Sequence, residues 1–184
     1  PETEHVIETA LRLAPRAESV LDVGCGSGAI AVTLSLELGF GARIFATDAS
    51  LAAIGVARQN ADRLGADVAF IACDLSSAIA SRSLDLLASN PPYIPAGEEA
   101  GLPREVREFE PRAALFAGPE GLDAYRKLAA DGARVLRPGG WMILELGYRQ
   151  VDAVRAMLDE HWGELEVVPD LAGLPRVFAA RLLR

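Results

Sequence analysis

Hydrophobic and polar residues follow two alternating spacings along this chain, one typical of helices and the other typical of buried strands. Five segments with the helical spacing are predicted helices: 4–14, 28–38, 50–65, 122–136 and 150–162. Short, mostly apolar runs predict seven strands: 19–24, 42–48, 67–74, 84–90, 141–147, 164–169 and 176–183. Strands that alternate with helices predict one doubly wound α/β domain over residues 1–184, with a mostly parallel sheet and helices on both faces.

Local signals mark the ends of these segments. Ser50 is the predicted N-cap of the helix at 50–65, and Gly65 is its predicted C-terminal stop. The sequence RPGG at 137–140 predicts a turn. Residues 94–121 follow neither spacing and mix proline, glycine and both charges, so we expect a long irregular loop there. Loops of such length are usually functional.

Composition and charge narrow the class of protein. The chain has 184 residues, 51% hydrophobic and 24% charged, and no apolar run long enough to cross a membrane. Its net charge of −8 argues against holding nucleic acid through the phosphates, although a local basic groove stays possible. The acidic start is unlike a secretory signal, and the lack of an initiator Met predicts a piece of a longer chain.

The cysteines and histidines form no disulfide framework or metal-binding pattern in the sequence. Cys25 and Cys73 are expected to be small buried residues in a reducing cytoplasm. His5 and His161 have no second ligand at metal spacing, so we expect them at the surface or at helix caps. We therefore expect a cytoplasmic protein without a metal ion.

A glycine-rich turn follows the first predicted strand. The stretch LDVGCGSGAI places Gly24, Gly26 and Gly28 where the backbone can turn tightly and a ligand can approach the next helix N-terminus. Asp48 ends the second predicted strand, where its carboxylate can accept hydrogen bonds from two ribose hydroxyls. Gly24, Gly26 and Ala29 also fit the looser dinucleotide fingerprint, so these residues alone leave a nicotinamide or flavin oxidoreductase open.

Two features favour S-adenosylmethionine as the ligand of this turn. The third glycine comes early, so the loop, with Cys25 and Ser27, curls around an amino acid rather than a pyrophosphate. Asp22 precedes the loop, where an acid can hold the methionine amino group directly or through water. Asp74 and Leu75 follow the third predicted strand, where the adenine would lie, although core packing explains Leu75 equally well.

Asn90 ends the fourth predicted strand and begins the tetrapeptide Asn-Pro-Pro-Tyr, whose other residues are Pro91, Pro92 and Tyr93. Prolines lack a backbone donor and fix φ, so the simplest interpretation is a turn. A rigid backbone at a strand end beside the cofactor favours instead a site for a planar amide or amine nitrogen. The Asn90 side-chain oxygen and the Pro91 carbonyl oxygen can accept its two hydrogens, and Tyr93 offers a flat face. Such a nitrogen, held in line with a methyl group, needs no general base before transfer.

Several motifs resemble a known family. VLDVGCGSGAI, Asp48 and NPPY resemble class I methyltransferases that modify planar amino nitrogens in DNA, ribosomal RNA or proteins. Further segments narrow the resemblance to the peptide chain release factor glutamine methyltransferases (the PrmC/HemK family). They are PETE at 1–4, NPPYIP, the stretch at 105–126, LRPGGWMILELGYRQ and DLAGLPRV.

The resemblance implies a fold, a reaction and a set of roles. The fold is the class I S-adenosylmethionine-dependent methyltransferase (Rossmann-like) fold with a seven-stranded sheet. The reaction is methylation of N5 of the glutamine in the Gly-Gly-Gln motif of class 1 release factors, with S-adenosylhomocysteine as product. Residues 24–28 and Asp48 match the cofactor site, and Asn90 to Tyr93 match the glutamine site. Asn90 is expected to contact the cofactor as well. That family normally begins with a small helical domain, whereas this sequence begins at Pro1, so we expect incomplete substrate docking.

Other functions remain open at this point. An adenine-N6 nucleic-acid methyltransferase fits NPPY equally well, although the acidic charge and the lack of a basic run argue against it. A ribosomal protein L3 glutamine methyltransferase shares the tetrapeptide. A dinucleotide oxidoreductase or a non-catalytic cofactor-binding module would not require the tetrapeptide NPPY. In the loop at 94–121, Glu98 and Glu99 are interpreted as solvated, and the nearby arginines 104, 107 and 112 as a possible gate for substrate.

Overall fold

Within the described residues, seven strands form a single sheet. The computed structural model describes residues 2–109 and 111–184, so Pro1 and Glu110 of the family-like segments lie outside the described residues. The strands are β1 (Ser19–Val23), β2 (Arg43–Asp48), β3 (Val68–Ala72), β4 (Leu84–Ser89), β5 (Leu136–Glu145), β6 (Trp162–Pro169) and β7 (Pro175–Leu182). Their order is β3-β2-β1-β4-β5-β7-β6, and β7 alone of the described strands runs antiparallel to both neighbours. The predicted seven-stranded, mostly parallel sheet is confirmed.

Helices cover both faces of this sheet, as predicted. The helices are α1 (Glu2–Leu13), α2 (Ala29–Leu38), α3 (Leu51–Leu64), α4 (Arg104–Phe109), α5 (Arg112–Leu115), α6 (Asp123–Val135) and α7 (Val151–Arg155). Successive strand residues point to opposite faces, so Val20 and Leu86 pack with α1, α2 and α3, whereas Leu21 and Leu87 pack with α6 and α7. Among the described residues, no helix is both long and apolar enough to cross a membrane. That residues 1–184 form one domain stays a prediction.

The caps predicted for α3 are present. The Ser50 hydroxyl accepts a hydrogen bond from the Ala53 backbone N–H over 3.2 Å. Gly65 adopts the left-handed conformation, with φ of 72°, and its N–H donates to the carbonyl oxygens of Ala61 and Asp62. Both ends of this helix were therefore predictable from single residues.

The structure corrects the expected loop at 94–121. This segment contains a 3₁₀ helix at Ala96–Gly101, the short helices α4 and α5, and a parallel bridge between Ile94 and Phe116. The two α-helices have 6 and 4 residues, which is too short to show a helical period in the sequence. The segment is folded rather than structureless.

Two other predicted boundaries are wrong. The RPGG sequence at 137–140 belongs to the first half of β5, since Leu136 already pairs with Leu84 before a register shift. The helix predicted over 150–162 ends at Arg155. Beyond it the backbone carbonyl of Asp159 accepts a hydrogen bond from the Trp162 N–H, which turns the chain into β6.

Candidate active site

The main cavity lies where the chain leaves β1 and β4. These strands pair in parallel, with Val23 opposite Ser89, so the residues that follow them meet at one edge of the sheet. The Ser89 hydroxyl donates to the Val23 carbonyl oxygen over 2.7 Å, which ties the two strand ends together. The cavity has a volume of about 1110 Å³ and is lined by Gly24, Cys25, Gly26, Ser27, Asn90, Pro91 and Tyr93, among others. The structure therefore brings the predicted cofactor loop and most of the predicted tetrapeptide together.

Backbone hydrogen bonds to β2 hold the glycine loop in place beside this cavity. The backbone N–H groups of Gly24 and Cys25 both donate to the Thr47 carbonyl oxygen, over 2.8 and 2.9 Å. Gly26 has φ of 53°, and a Cβ placed there would meet nothing within 4 Å. Its left-handed backbone and open surroundings fit a close approach by a ligand.

Gly28 is required for packing and does not line the cavity. Its φ is 84°, and a Cβ added there would lie 3.0 Å from the Cβ of Ala57 in α3. The glycine thus lets α2 and α3 approach each other directly beneath the loop. The side chain of Asn60 donates to the Ser27 carbonyl oxygen over 2.9 Å and fixes the loop from the same helix.

Asp48 shapes the glycine loop but does not itself line the cavity. Its Oδ2 accepts from the Gly26 N–H over 3.0 Å, and its Oδ1 accepts from the Ser50 N–H over 2.8 Å. A carboxylate has about four acceptor positions, so each oxygen can still accept a hydroxyl hydrogen. The predicted role in binding ribose fits this geometry and stays a prediction.

Asp22 is buried beneath the loop rather than lining the cavity, with 1% of its surface exposed. Its Oδ2 accepts from the Ala31 N–H over 3.0 Å, and its Oδ1 has no hydrogen-bond partner among the described residues. Burial raises the pKa of this carboxyl from 3.8 to about 7; the bond from Ala31 opposes the shift and the charge of Asp48 adds to it. An ammonium group that reached Oδ1, directly or through water, would provide this buried acceptor with a hydrogen-bond donor.

Cys25 lines the cavity in surroundings that disfavour the reactive thiolate. Its thiol is 7% exposed, and burial, reinforced by the charges of Asp22 and Asp48, raises its pKa to about 12. Cys73 is the partner of no disulfide, and its Sγ donates to the Leu75 carbonyl oxygen over 3.3 Å. Across residues 2–109 and 111–184, no group of three His, Cys, Asp or Glu side chains could hold a metal ion.

Asp74 and Leu75 line a separate, smaller cavity of about 260 Å³ together with Ser77, Lys127, Ala130 and Asp131. They do not line the cavity of the glycine loop and the tetrapeptide. Leu75 has a left-handed backbone, with φ of 45°, and packs against the hydrophobic core under α6. The packing interpretation of Leu75 is therefore supported, and contact of both residues with adenine stays a prediction.

Side chains from three other parts of the fold hold the tetrapeptide. Asn90 Nδ2 donates to the Thr3 hydroxyl over 3.2 Å, and the Tyr93 hydroxyl donates to Glu145 Oε1 over 3.5 Å. Gln150 Nε2 donates to the Tyr93 carbonyl oxygen over 3.0 Å. Pro92 does not line the cavity, whereas Pro91 does. The rigid strand end predicted from the prolines is thus anchored at both of its ends.

Sequence reasoning missed Thr3, Glu145 and Gln150 as members of this site. A signal existed for Glu145, which is a single charged residue within the apolar run WMILELG and is only 3% exposed. In the sequence, Thr3 belongs only to a family-like segment, and Gln150 only begins a predicted helix. These three residues belong to the site because of which strand ends lie together, and no local sequence pattern shows which strand ends do so.

The segment that follows the tetrapeptide forms the outer wall of the cavity. Its lining residues there are Ile94, Pro95, Glu98, Leu102, Val106, Ala114, Leu115, Glu120 and Leu122. Glu98 is therefore part of the wall, whereas Glu99 pairs with Arg112 at the surface. Arg104 pairs with Glu108 over 2.8 Å. The predicted arginine gate is not seen in the cavity lining, which contains none of these three arginines.

The sequence of the chain is similar to that of a methyltransferase family and of several relatives. The family profile described as methyltransferase small domain matches residues 4–102. The release factor glutamine methyltransferases of Koribacter versatilis (strain Ellin345) and Geobacter sulfurreducens are 45% and 41% identical over 98% of this chain. The chain spans 65% and 64% of the lengths of those two relatives.

Solved structures share the fold at lower identity. TrmN from Thermus thermophilus is 24% identical with a TM-score of 0.71, and the match covers 96% of this chain and 48% of that one. The T. thermophilus 16S rRNA N2 G1207 methyltransferase RsmC, in complex with AdoMet and guanosine, is 21% identical with a TM-score of 0.70. That match covers 100% of this chain and 43% of the other.

Proposed function

Because the chain belongs to the methyltransferase small domain family and has the class I methyltransferase fold, we propose that it methylates the side-chain amide nitrogen of a glutamine. The observation that carries this proposal is one cavity lined by both the glycine loop at 24–27 and the side chain of Asn90. A methyl donor on the loop and an amide beside Asn90 would be neighbours in that cavity. The proposed methyl donor is S-adenosylmethionine.

The residues of the loop fit this cofactor. We assign the carboxylate of Asp48 to the ribose hydroxyls, the loop from Gly24 to Ser27 to the methionine part, and the unpartnered oxygen of Asp22 to its ammonium group. When bound, S-adenosylmethionine supplies an electrophilic methyl group on a positively charged sulfur. The loop residues contribute binding and orientation rather than covalent chemistry.

Asn90 and its neighbours orient the acceptor. The hydrogen bond from Nδ2 to Thr3 leaves the Oδ1 end of the Asn90 amide to accept one N–H of the glutamine. We assign the second N–H to the Pro91 carbonyl oxygen and the flat face of the acceptor to the Tyr93 ring. Orientation of this kind contributes up to ~7–11 kcal/mol in favourable cases, so positioning can replace a general base. The extra proton leaves the nitrogen after transfer.

The substrate proposed is the glutamine of the Gly-Gly-Gln motif in class 1 peptide chain release factors. The proposal draws on the relatives that carry the name release factor glutamine methyltransferase over 98% of this chain. Because translation supplies this substrate, we propose that the reaction takes place in the cytoplasm. The net charge of −8 makes a nucleic-acid substrate the weaker alternative.

A labelling experiment separates the possible acceptors. The chain is incubated with S-adenosylmethionine that carries a labelled methyl group and with a release factor, ribosomal protein L3 or DNA. We expect label in the release factor alone. Label in L3 or DNA instead would contradict the proposed substrate, and label in none of the three would contradict methyl transfer to this set of acceptors.

We predict that Asn90→Ala abolishes this labelling while the affinity for S-adenosylhomocysteine stays within about threefold of wild type, because Asn90 is assigned to the acceptor. Calorimetry measures the affinity and single-turnover labelling measures the transfer. A variant that still methylates a release factor at nearly the wild-type rate would remove Asn90 from the mechanism.

A further inference from the structure

A chain of hydrogen bonds connects Asn90 to two residues outside the tetrapeptide. Asn90 Nδ2 donates to the Thr3 hydroxyl oxygen over 3.2 Å. The same hydroxyl donates its own hydrogen to Glu145 Oε2 over 3.0 Å. Thr3 is therefore both acceptor and donor, and it lines the same cavity as Asn90. The first turn of α1 is joined in this way to the end of β5 and to the strand end after β4.

Glu145 is placed at the centre of these contacts. It is the last residue of β5, pairs with Val177 of β7 and is 3% exposed. Its other carboxylate oxygen, Oε1, accepts from the Tyr93 hydroxyl over 3.5 Å. An apolar side chain would fill this position without the cost of burying a carboxylate, so packing alone does not explain the residue. Its two oxygens instead reach both ends of the tetrapeptide, Tyr93 directly and Asn90 through Thr3.

We propose that Thr3 and Glu145 are positioning residues that hold the Asn90 amide with its oxygen toward the substrate; this inference rests on the proposed function. A hydroxyl group has a single hydrogen, and the Thr3 hydroxyl donates it to Glu145 Oε2. Only lone pairs of Thr3 then face Asn90, and they select the Nδ2 end of its amide. The Oδ1 end points the other way.

The opposite orientation of the amide would be unproductive. Rotation by half a turn would bring Asn90 Oδ1 against the lone pairs of Thr3 and would direct an N–H donor of Asn90 at the glutamine N–H that Oδ1 otherwise accepts. Both contacts are repulsive, and a polar group without a partner in such a site is unfavourable. The hydroxyl of Thr3 therefore acts on catalysis through the orientation of Asn90.

Two substitutions at one position test this role. Thr3→Val removes the hydroxyl at nearly constant volume, and Thr3→Ser restores it. Thr9→Val is the matched control, since Thr9 is a buried threonine of the same helix that does not line the cavity. With saturating release factor, we expect Thr3→Val to lower the single-turnover rate at least tenfold, while Thr3→Ser and Thr9→Val stay within about threefold of wild type. The dissociation constant of S-adenosylhomocysteine should change by less than about threefold in every variant.

A second measurement does not depend on activity. In ¹⁵N-resolved NMR spectra, the Asn90 side-chain amide should show one hydrogen that exchanges slowly with solvent in wild type, Thr3→Ser and Thr9→Val. In Thr3→Val this protection should be lost. Equal protection in all four proteins, or an undiminished rate for Thr3→Val in an active wild-type background, would overturn the inference. A wild-type chain that methylates no release factor would contradict the proposed function, while the NMR comparison still decides how Asn90 is held.

Discussion

The buried carboxylate of Asp22 couples the pH to the stability of this fold. Its pKa of about 7 lies above the ordinary value of 3.8 because burial disfavours the charged form. Between these two values the folded protein keeps a proton that the unfolded chain has lost. The contribution of this group to stability is therefore complete below about pH 4 and is lost as the pH rises through about 7.

We predict that Asp22→Asn flattens this pH dependence. Asparagine has no titrating group but keeps an oxygen that can accept from the Ala31 N–H. Between pH 5 and pH 8 the free energy of unfolding of wild type should fall by about 2–3 kcal/mol more than that of the variant, since one pKa unit corresponds to about 1.4 kcal/mol. Denaturant titrations of both proteins at the two pH values measure the difference. The same pH dependence in both would show that Asp22 does not titrate in this range.

At the scale of elements, the segment at 94–122, which forms a wall of the cavity, is held to the tetrapeptide by hydrogen bonds from Gln150 and by a close backbone contact. The hydrogen bond from the Ala96 N–H to the Gly118 carbonyl oxygen, over 2.9 Å, joins two parts of the segment itself. Gln150 links the segment to the tetrapeptide, since its Nε2 donates to the Gly121 carbonyl oxygen over 3.3 Å and to the Tyr93 carbonyl oxygen over 3.0 Å. Gly121 has φ of 71°, and a Cβ there would lie 2.2 Å from the Tyr93 carbonyl oxygen. The backbone of Gly121 therefore lies directly against the Tyr93 carbonyl oxygen.

We predict that Gly121→Ala separates these two pieces of backbone. The added methyl group requires a shift of the Tyr93 carbonyl and a left-handed alanine, so the free energy of unfolding should fall by about 2 kcal/mol or more. The rate of methyl transfer should also fall, because the substitution displaces Tyr93. Denaturant unfolding and single-turnover labelling measure the two effects.

The control for this prediction is Gly101→Ala in the same segment, where an added Cβ would meet nothing within 4 Å. Its free energy of unfolding should stay within about 0.5 kcal/mol of wild type. If the two substitutions lowered the free energy of unfolding equally, the close contact at Gly121 would not be what holds the segment in place.

At the scale of the whole molecule, the proposed ligands meet at one edge of the sheet. The strand order reverses between β1 and β4, and both the glycine loop and the tetrapeptide leave the sheet there. A ligand held at this edge contacts residues from several strands and helices. Its binding free energy should therefore stabilise the folded chain as a unit.

We predict that S-adenosylhomocysteine raises the melting temperature and that NAD does not. At a concentration about 100 times its dissociation constant, a ligand contributes about 2.7 kcal/mol, which corresponds to roughly 5–11 °C for a chain of this size. Asp48→Ala removes a charged acceptor and should weaken binding at least about tenfold. The same concentration of S-adenosylhomocysteine should then raise the melting temperature of Asp48→Ala by about half as much as it raises that of wild type.

Thermal scans with and without each ligand test this prediction. A larger shift with NAD than with S-adenosylhomocysteine would favour the dinucleotide interpretation of the glycine loop. An unchanged shift in Asp48→Ala would remove the carboxylate from the ribose site.

The amino-acid sequence by itself determined the features that depend on neighbours along the chain. Hydrophobic spacing predicted the sheet and the long helices, because it reports which face of an element is buried. The caps Ser50 and Gly65 and the glycine loop were predictable, because single residues set the backbone conformation there. The tetrapeptide from Asn90 to Tyr93 was predictable as a rigid strand end, because proline fixes φ.

Only the tertiary structure decided which polar residues share the site. Thr3 lies 142 positions from Glu145 and 87 positions from Asn90 along the chain, yet hydrogen bonds join all three. Such contacts follow from the strand order β1-β4-β5 and from the packing of α1 across the sheet, which no local pattern encodes. The short helices within 94–121 depend in the same way on contacts between residues far apart along the chain, such as the hydrogen bond from the Ile94 N–H to the Leu115 carbonyl oxygen over 2.9 Å, since segments of 6 and 4 residues are too short to be stable alone.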